Sequence, residues 1–299
     1  MAATTGTVRP RSTDRESADR KSTAGDPRYG ALEHSPTIDL ELSSILGAIG
    51  AGEVQPTYMP LVSLVTGRLV GVEALARWHH PGLGELLPVN FVPRLEQRGR
   101  VSDLTAWMVD TACADLARWQ VRFPLPVEFR VAINVSATEL IDRRLVQLVK
   151  EALARHDVPA GLLCLELTES ARVFDLAYGA SVLQELRQLG VRLAVDDFGA
   201  GFANQQYLDE LPVDVVKIDQ SFVAELLNQA RCRDFVAQTV AHALANQLDV
   251  VAEGIETHEQ ARALWSMGCA LGQGYAIGRA APGDAILLAW LPGLAGVAV

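Results

Sequence analysis

Short apolar runs alternate with helical patterns along most of this 299-residue chain. Seven runs have the length and the Val, Ile and Leu content of strands that are buried on both faces. They are "LVGVEAL", "FRVAINV", "LLCLEL", "VRLAVDD", "VDVVKID", "LDVVAEG" and "CALGQGY". This alternation predicts a mostly parallel sheet covered by helices, either open and doubly wound or closed into a barrel. The number of strand–helix units favours the barrel.

Apolar side chains at helical spacing predict two of the helices. The first stripe contains Leu104, Met108, Ala112 and Leu116. The second contains Ile141, Leu145, Leu148, Val149 and Ala152. The segment "SATE", residues 136–139, has the pattern of a capping box, so we expect it to begin the second helix.

Composition limits the domain organisation and the classes of function. Residues 1–37 are rich in Ser, Thr, Arg and Asp, which predicts a disordered tail before a folded domain at 38–295. The net charge of −10 argues against binding to long nucleic acids, which requires a basic face. No apolar run reaches the roughly 18 residues of a membrane span, and no CxxC pair occurs among the four cysteines. We therefore expect a cytoplasmic protein with buried thiols.

Each of the seven predicted strands finishes in a polar residue. In chain order these are Glu73, Asn134, Glu166, the pair Asp196 and Asp197, Lys217, Glu253 and Gln273. The carboxyl ends of barrel strands share one face, where catalytic groups gather. We therefore expect these side chains to converge on one pocket.

Five carboxylates in one pocket repel one another. Two unit charges about 4 Å apart repel by roughly 4 kcal/mol at an effective dielectric constant near 20, and Lys217 offers one positive charge. The cluster must be protonated, paired or bound to metal. Oxygen ligands without His or Cys favour Mg²⁺ or Mn²⁺. Two such ions are suited to attack at phosphorus, where Lys217 would position or deprotonate a water molecule.

Seven strings in this sequence resemble, in order, the successive motifs of the EAL domain family, bacterial phosphodiesterases of cyclic di-GMP. They are "TGRLVGVEALARWHHPGLG", "INVSATEL", "LELTES", "VDDFGAGF", "LPVDVVKIDQSFV", "VVAEGIET" and "GCALGQGYAIGRA". The resemblance implies a TIM-like (β/α)8 barrel with one antiparallel strand. It also implies hydrolysis of one phosphodiester bond of cyclic di-GMP to linear pGpG, with Mg²⁺ or Mn²⁺.

The resemblance implies a role for each residue of the site. The metal ligands would be Glu73, Asn134, Glu166, Asp196 and Asp197, and the catalytic residues Lys217, Asp197, Glu253 and Glu73. The substrate-binding residues would be Arg77, Gln273 and Leu75, with Arg77 at the phosphates. Glu169 matches a residue that holds the loop after the paired aspartates. Glu256, one turn past Glu253, is expected to support that residue, and Trp78 is expected in the core.

Other functions remain open. An EAL domain without turnover would bind cyclic di-GMP as a receptor and signal through protein partners. "GAGFAN" loosely matches a GxGxxG nucleotide-binding loop, but Asn204 replaces the third glycine and the aspartates would repel a pyrophosphate. A purely structural interaction protein would not need a complete set of acids. We expect a stand-alone enzyme, regulated by partners or by homodimerisation through the helix that follows Asp219.

Two positions depart from the usual family pattern. Met59 in "YMP" replaces a glutamine, so one set of hydrogen bonds to the substrate is lost. Ala203, Asn204 and Gln205 replace the usual Ser-Ser-Leu, and Ala203 has no hydroxyl for Glu169 to hold. We therefore expect a looser loop with weaker metal binding or a requirement for an activating partner.

Restoring the hydroxyl tests the loop hypothesis. Ala203→Ser is expected to strengthen metal binding and raise turnover by about fivefold, the effect of one net hydrogen bond of ~1 kcal/mol. Mn²⁺ titration and an activity assay on both proteins measure the effect. Unchanged metal affinity together with unchanged turnover would contradict the hypothesis.

Overall fold

The computed structural model describes residues 40–168, 176–200 and 205–291. Within these ranges nine strands form one sheet. They are β1 Val54–Ser63, β2 Leu69–His80, β3 Gly84–Leu86, β4 Arg130–Val135, β5 Leu163–Thr168, β6 Arg192–Phe198, β7 Val215–Ile218, β8 Asp249–Ala252 and β9 Leu271–Gly272. The predicted tail, residues 1–37, and the end of the predicted domain, residues 292–295, lie outside the described residues.

Helices follow most of the strands. Those in the described ranges are α1 Leu42–Ala51, α2 Pro88–Gln97, α3 Val101–Arg122, α4 Arg144–His156, α5 Leu176–Gln188, α6 Gln205–Glu210, α7 Gln220–Ala224, α8 Ala230–Ala245, α9 His258–Ser266 and α10 Gly283–Trp290. None of these helices combines the length and the apolar character that crossing a membrane requires. The four cysteines are free and buried, as predicted.

The sheet closes into a barrel. The strand order is β1-β9-β8-β7-β6-β5-β4-β2-β3, and an additional β1–β2 pairing joins the ends of an eight-stranded ring. β1 runs antiparallel to both of its neighbours, whereas the other pairs around the ring are parallel. β3 stays outside the ring as a short antiparallel partner of β2. The predicted TIM-like barrel with one antiparallel strand is therefore confirmed.

The seven predicted strands correspond to β2 and to β4 through β9. The apolar pattern did not predict β1, because Pro56 and Pro60 interrupt it and proline is uncommon within central strands. Glu73 also differs from the prediction, since it lies inside β2 and not at its end. β2 continues beyond the barrel wall to His80, where it pairs with β3.

A layer of small apolar side chains fills the interior of the barrel on the amino-terminal side of the polar residues. This layer contains Ala132, Cys164, Ala194, Val215 and Val251, with Leu61 and Leu271 packed against it. Residues two positions apart in a strand point to the same face. The next inward positions are therefore polar on nearly every strand: Asn134, Glu166, Asp196, Lys217, Glu253 and Gln273, with Met59 on β1. Glu73 joins this upper layer because it is paired with Met59 across β1 and β2.

One predicted helix is confirmed and the other is corrected at its start. On α3, Leu104, Met108, Ala112 and Leu116 are all buried. The "SATE" capping box is present, but it begins a 3-10 helix at Ala137–Ile141 and not α4. Asp142 is extended and separates the two helices, so Ile141 lies outside the α4 stripe and is 62% exposed.

The capping box also buries a carboxyl group. Oε2 of Glu139 accepts hydrogen bonds from Oγ1 of Thr105 on α3 (2.8 Å) and from the backbone N of Ser136 (3.2 Å). Burial raises the pKa of Glu139 to about 7, and these two hydrogen bonds only partly offset the increase. In the folded protein Glu139 is therefore mostly protonated at a pH below its pKa of about 7.

Glu139→Gln is expected to change how stability depends on pH. The folded pKa lies above the ordinary value of 4.5. The contribution of Glu139 to the unfolding free energy is therefore complete below pH 4.5 and falls by about 1.4 kcal/mol per unit until the folded pKa is passed. Glutamine keeps an oxygen acceptor and does not ionise. Urea unfolding should show the variant gaining about 2 to 3 kcal/mol over wild type between pH 5 and pH 7.5; an equal difference at both pH values would contradict the assignment.

Candidate active site

The upper layer of polar side chains forms a buried site around Lys217, which is 1% exposed. Its Nζ lies 2.8 Å from Oε2 of Glu166, 2.8 Å from Oδ1 of Asp196, 2.8 Å from Oε1 of Glu253 and 3.6 Å from Oε2 of Glu73. Four carboxylates from four different strands or strand ends therefore surround one ammonium. The predicted convergence of these residues occurs in the structure.

Two amide side chains fix the position of Glu73. Nδ2 of Asn134 donates to Oε1 of Glu73 at 2.8 Å, and Nε2 of Gln273 donates to Oε2 at 2.7 Å. The same Nε2 also donates to Oε1 of Glu253 at 2.9 Å. Asn134 thus links β4 to β2, and Gln273 links the end of β9 to β2 across the antiparallel β1.

A break in β6 brings Asp197 to the same site as Asp196. Adjacent residues of a regular strand point to opposite faces. Here the β6–β7 register shifts between Val195 and Phe198, and Asp197 has φ 53°. Both features are typical of a bulge that redirects a side chain near a functional site. Asp196, Asp197 and Glu253 consequently have carboxylate oxygens within 4.8 Å of one another.

Burial and charge shift the pKa values of the cluster in a consistent way. Burial lowers the pKa of Lys217, but the surrounding carboxylates outweigh it and hold this pKa well above the ordinary value. Burial raises the pKa of Glu166, Asp196 and Glu253, and Lys217 only partly compensates. The opposing effect wins at Glu73, where Lys217 and the two amides hold the pKa below its ordinary value.

Asp197 is the less buried member of the aspartate pair. Burial and the neighbouring carboxylates of Asp196 and Asp219 raise its pKa to about 6. In the absence of metal, burial therefore favours the protonated forms of Glu166, Asp196, Asp197 and Glu253. The single ammonium of Lys217 does not balance the negative charge of the five carboxylates.

The donor set fits two divalent cations. The carboxylate oxygens of Glu73, Glu166 and Asp196 also lie within 4.8 Å of one another, which gives two groups that share Asp196. Its buried Oδ1 has no hydrogen bond, although it forms the ion pair with Lys217. Five carboxylates and one ammonium leave four negative charges, which two divalent cations would balance. Carboxylate and amide oxygens are hard ligands of the kind that Mg²⁺ and Mn²⁺ prefer.

Of the predicted substrate-binding residues, Gln273 lies within the carboxylate layer, whereas Leu75 and Arg77 lie further along β2 than Glu73. Arg77 is partly buried on β2 and donates from Nη1 to the carbonyl of Ala76 at 2.8 Å. Burial lowers its pKa, and Glu85 and Glu73 act in the opposite direction. Trp78 is 1% exposed, so its predicted core position is confirmed.

Leu75 opens onto an apolar cleft of about 330 Å³ between β2, α2 and α3. Its lining includes the apolar side chains of Pro88, Val92, Leu104 and Met108 and the polar residues Glu96, Thr105, Asn134 and Ser136. The sequence analysis missed this cleft. Its walls come from two helices whose apolar residues look like ordinary core positions, so no local signal marked them.

The remaining predicted residues behave differently. The side chain of Glu256 is exposed, and its backbone N, not its carboxylate, makes the hydrogen bond that anchors it. The expected support of Glu253 by Glu256 stays a prediction. Glu169, Ala203 and Asn204 lie outside the described residues, and Gln205 is described only as the first residue of α6.

Comparisons with known proteins agree with this geometry. A cyclic di-GMP phosphodiesterase of Pseudomonas aeruginosa is 40% identical over 264 residues, which are 85% of this chain and 44% of that protein. A protein of Azorhizobium caulinodans is 42% identical over 229 residues, 76% of this chain and 31% of the relative. This chain thus spans less than half the length of these two relatives.

A solved structure supports the same fold. The PaMucR phosphodiesterase in its c-di-GMP complex is 34% identical with a TM-score of 0.77, covering 82% of this chain and 99% of that one. The family model described as the EAL domain matches residues 43–280. The barrel, its acidic layer and this match together show that the chain belongs to the EAL domain family.

Proposed function

We propose that this chain is a metal-dependent phosphodiesterase that hydrolyses cyclic di-GMP to linear pGpG. The observation that carries the proposal is the layer of five carboxylates, four of them paired with the buried Lys217, arranged in two groups suited to divalent cations. The relative named a cyclic di-GMP phosphodiesterase and the structural neighbour in its c-di-GMP complex support the choice of substrate.

Two overlapping sets of residues would hold the cations. Glu73, Asn134, Glu166 and Asp196 would bind one ion, and Asp196, Asp197 and Glu253 the other. When bound, such ions supply a readily ionised water and stabilise charge on the attacking and leaving oxygens of an in-line displacement. The identity of the ions, Mg²⁺ or Mn²⁺, is part of the proposal.

Lys217 acts in this proposal as a hydrogen-bond donor and a fixed positive charge. Its carboxylate neighbours keep its pKa well above the ordinary value, so it remains protonated. A buried ammonium is suited to hold the attacking water or a phosphoryl oxygen in place. Asp197 and Glu253 would orient the same water by accepting its hydrogen bonds, while Glu73 stays ionised beneath it.

The mouth of the site suits a cyclic dinucleotide. Arg77 would bind a phosphate through its guanidinium. The cleft beside Leu75 would receive one guanine base, because its lining is largely apolar and includes Glu96, whose carboxylate could accept from adjacent N–H groups of the base. Gln273 would contact the sugar–phosphate ring from the opposite side.

Other parts of the proposal concern the whole protein. We propose a folded domain over residues 38–295 and a cytoplasmic location. Homodimerisation near α7, the helix after Asp219, and regulation by protein partners remain predictions. Light scattering with and without cyclic di-GMP tests the dimer, and a monomer in both conditions would contradict it.

Product analysis tests the central proposal. The purified protein with cyclic di-GMP and either Mg²⁺ or Mn²⁺ is expected to yield pGpG in a chromatographic time course. Glu73→Ala removes a residue common to the amide bridge and the first cation group, so turnover should fall by roughly a hundredfold or more.

A surface variant provides the matched control. Glu185→Ala also removes one carboxylate, but its partner is Arg143 on the outside of the barrel, so turnover should stay within about twofold of wild type. Tight binding of cyclic di-GMP without any pGpG would reject the enzyme and favour the receptor. Neither binding nor product would reject both.

A further inference from the structure

We propose that Gln260 is a positioning residue whose side-chain amide fixes the loop carrying Glu253 against the helix that follows Lys217. The inference rests on the proposed function of the site, since it assigns a purpose to the position of Glu253. Gln260 itself lies on α9, is 5% exposed and is no part of the acidic layer.

The amide of Gln260 connects two separate segments. Its Oε1 accepts hydrogen bonds from the backbone N of Glu256 (2.9 Å) and of Thr257 (3.0 Å), both in the loop that follows Glu253. Its Nε2 donates to the backbone O of Val223 in α7 at 3.1 Å. One side chain therefore satisfies three backbone groups and joins the loop to α7.

Two further close contacts hold the same loop against the end of β7 and the start of α7. The backbone N of Glu253 donates to the carbonyl of Ile218 at 3.1 Å. Gly254 has φ 63°, and a Cβ there would lie 2.4 Å from Cβ of Gln220. The loop backbone is thus pressed directly against the start of α7, one turn after Lys217, and Gln260 secures its far end.

The backbone that follows the paired aspartates also packs closely on α7 and on α8 behind it. A Cβ at Gly199 would meet the rings of Phe235 (2.4 Å) and Phe222 (2.8 Å), and these two rings stack with centroids 4.0 Å apart. α7 is therefore a common support for the loops that carry Asp197 and Glu253. A clamp between α9 and α7 holds one carboxylate in register with the others.

The hydroxyl half of the α9 cap can be removed without removing the clamp. The backbone N of Gln260 donates to Oγ1 of Thr257 at 3.1 Å, which stabilises the start of the helix. Thr257→Val removes this cap and keeps the side-chain contacts of Gln260. Gln260→Leu keeps the bond to the Thr257 hydroxyl, removes the reciprocal bond of the capping box, and leaves the backbone N–H groups of Glu256 and Thr257 without their partner. Gln260→Glu keeps an acceptor for the loop but, when ionised, cannot donate to Val223.

The three variants are compared by Mn²⁺ titration and by kinetics with cyclic di-GMP, each alongside urea unfolding. Gln260→Leu should weaken Mn²⁺ binding and lower kcat by about tenfold or more, with KM changed less than about threefold, because Glu253 serves the cation group and not the bases. Gln260→Glu should fall between this variant and wild type. Thr257→Val should lose stability yet stay within about twofold in both measurements. Equal effects of Thr257→Val and Gln260→Leu would overturn the proposal, as would wild-type Mn²⁺ affinity in folded Gln260→Leu.

Two structural measurements decide the inference independently of turnover. In Gln260→Leu, or in Gln260→Glu if the first variant does not fold, the amides of Glu256 and Thr257 should exchange with deuterium about tenfold faster or more. A crystal structure should show the distance from Nζ of Lys217 to Oε1 of Glu253 increased from 2.8 Å. Unchanged exchange and an unchanged ion pair would overturn the inference even if wild type makes pGpG. Absence of pGpG from wild type would instead reject the proposed function.

Discussion

The interaction on which the rest of the site depends is the contact of one buried ammonium with the surrounding carboxylates. Lys217 lies 2.8 Å from three of them and 3.6 Å from a fourth, and it is almost fully removed from water. Removing charges from water is costly, and a single positive charge does not balance this cluster. This cost falls at the carboxyl ends of the parallel strands, where bound cations would complete the charge balance. The excess of carboxylates at this site therefore indicates that its ligands are cations.

Much of the site followed from the sequence because barrel geometry is periodic. Each inward polar residue lies two positions beyond an apolar residue of the layer below, as Glu166 does beyond Cys164 and Lys217 beyond Val215. The carboxyl ends of the parallel strands then bring these residues together whatever their separation in sequence. The resemblance to the EAL family supplied the antiparallel first strand, which Pro56 and Pro60 concealed from the apolar pattern.

The features that the sequence did not reveal depend on irregular backbone or on distant contacts. The bulge at Asp197 has no signature in "VDDFGAGF" beyond its glycines, and only the shifted register shows how two adjacent aspartates serve one site. The capping box was recognised, yet the extended Asp142 after it divides what looked like one helix. The sequence did not predict the clamp of Gln260. Its partners include the backbone N of Glu256 and the backbone O of Val223, which only the fold brings together. The sequence also did not show where Met59 lies. Its pairing with Glu73 places the methionine that replaces the usual glutamine beside the carboxylate layer.

The number of cations bound per chain tests the central claim most directly. Titration with Mn²⁺ followed by electron paramagnetic resonance counts the bound ions and detects their magnetic coupling, without any assay of turnover. The charge balance predicts two ions per chain, close enough to couple, and loss of the coupled pair in Glu166→Gln. No bound Mn²⁺ at millimolar concentration, or binding that survives unchanged in Glu166→Gln, would contradict the account.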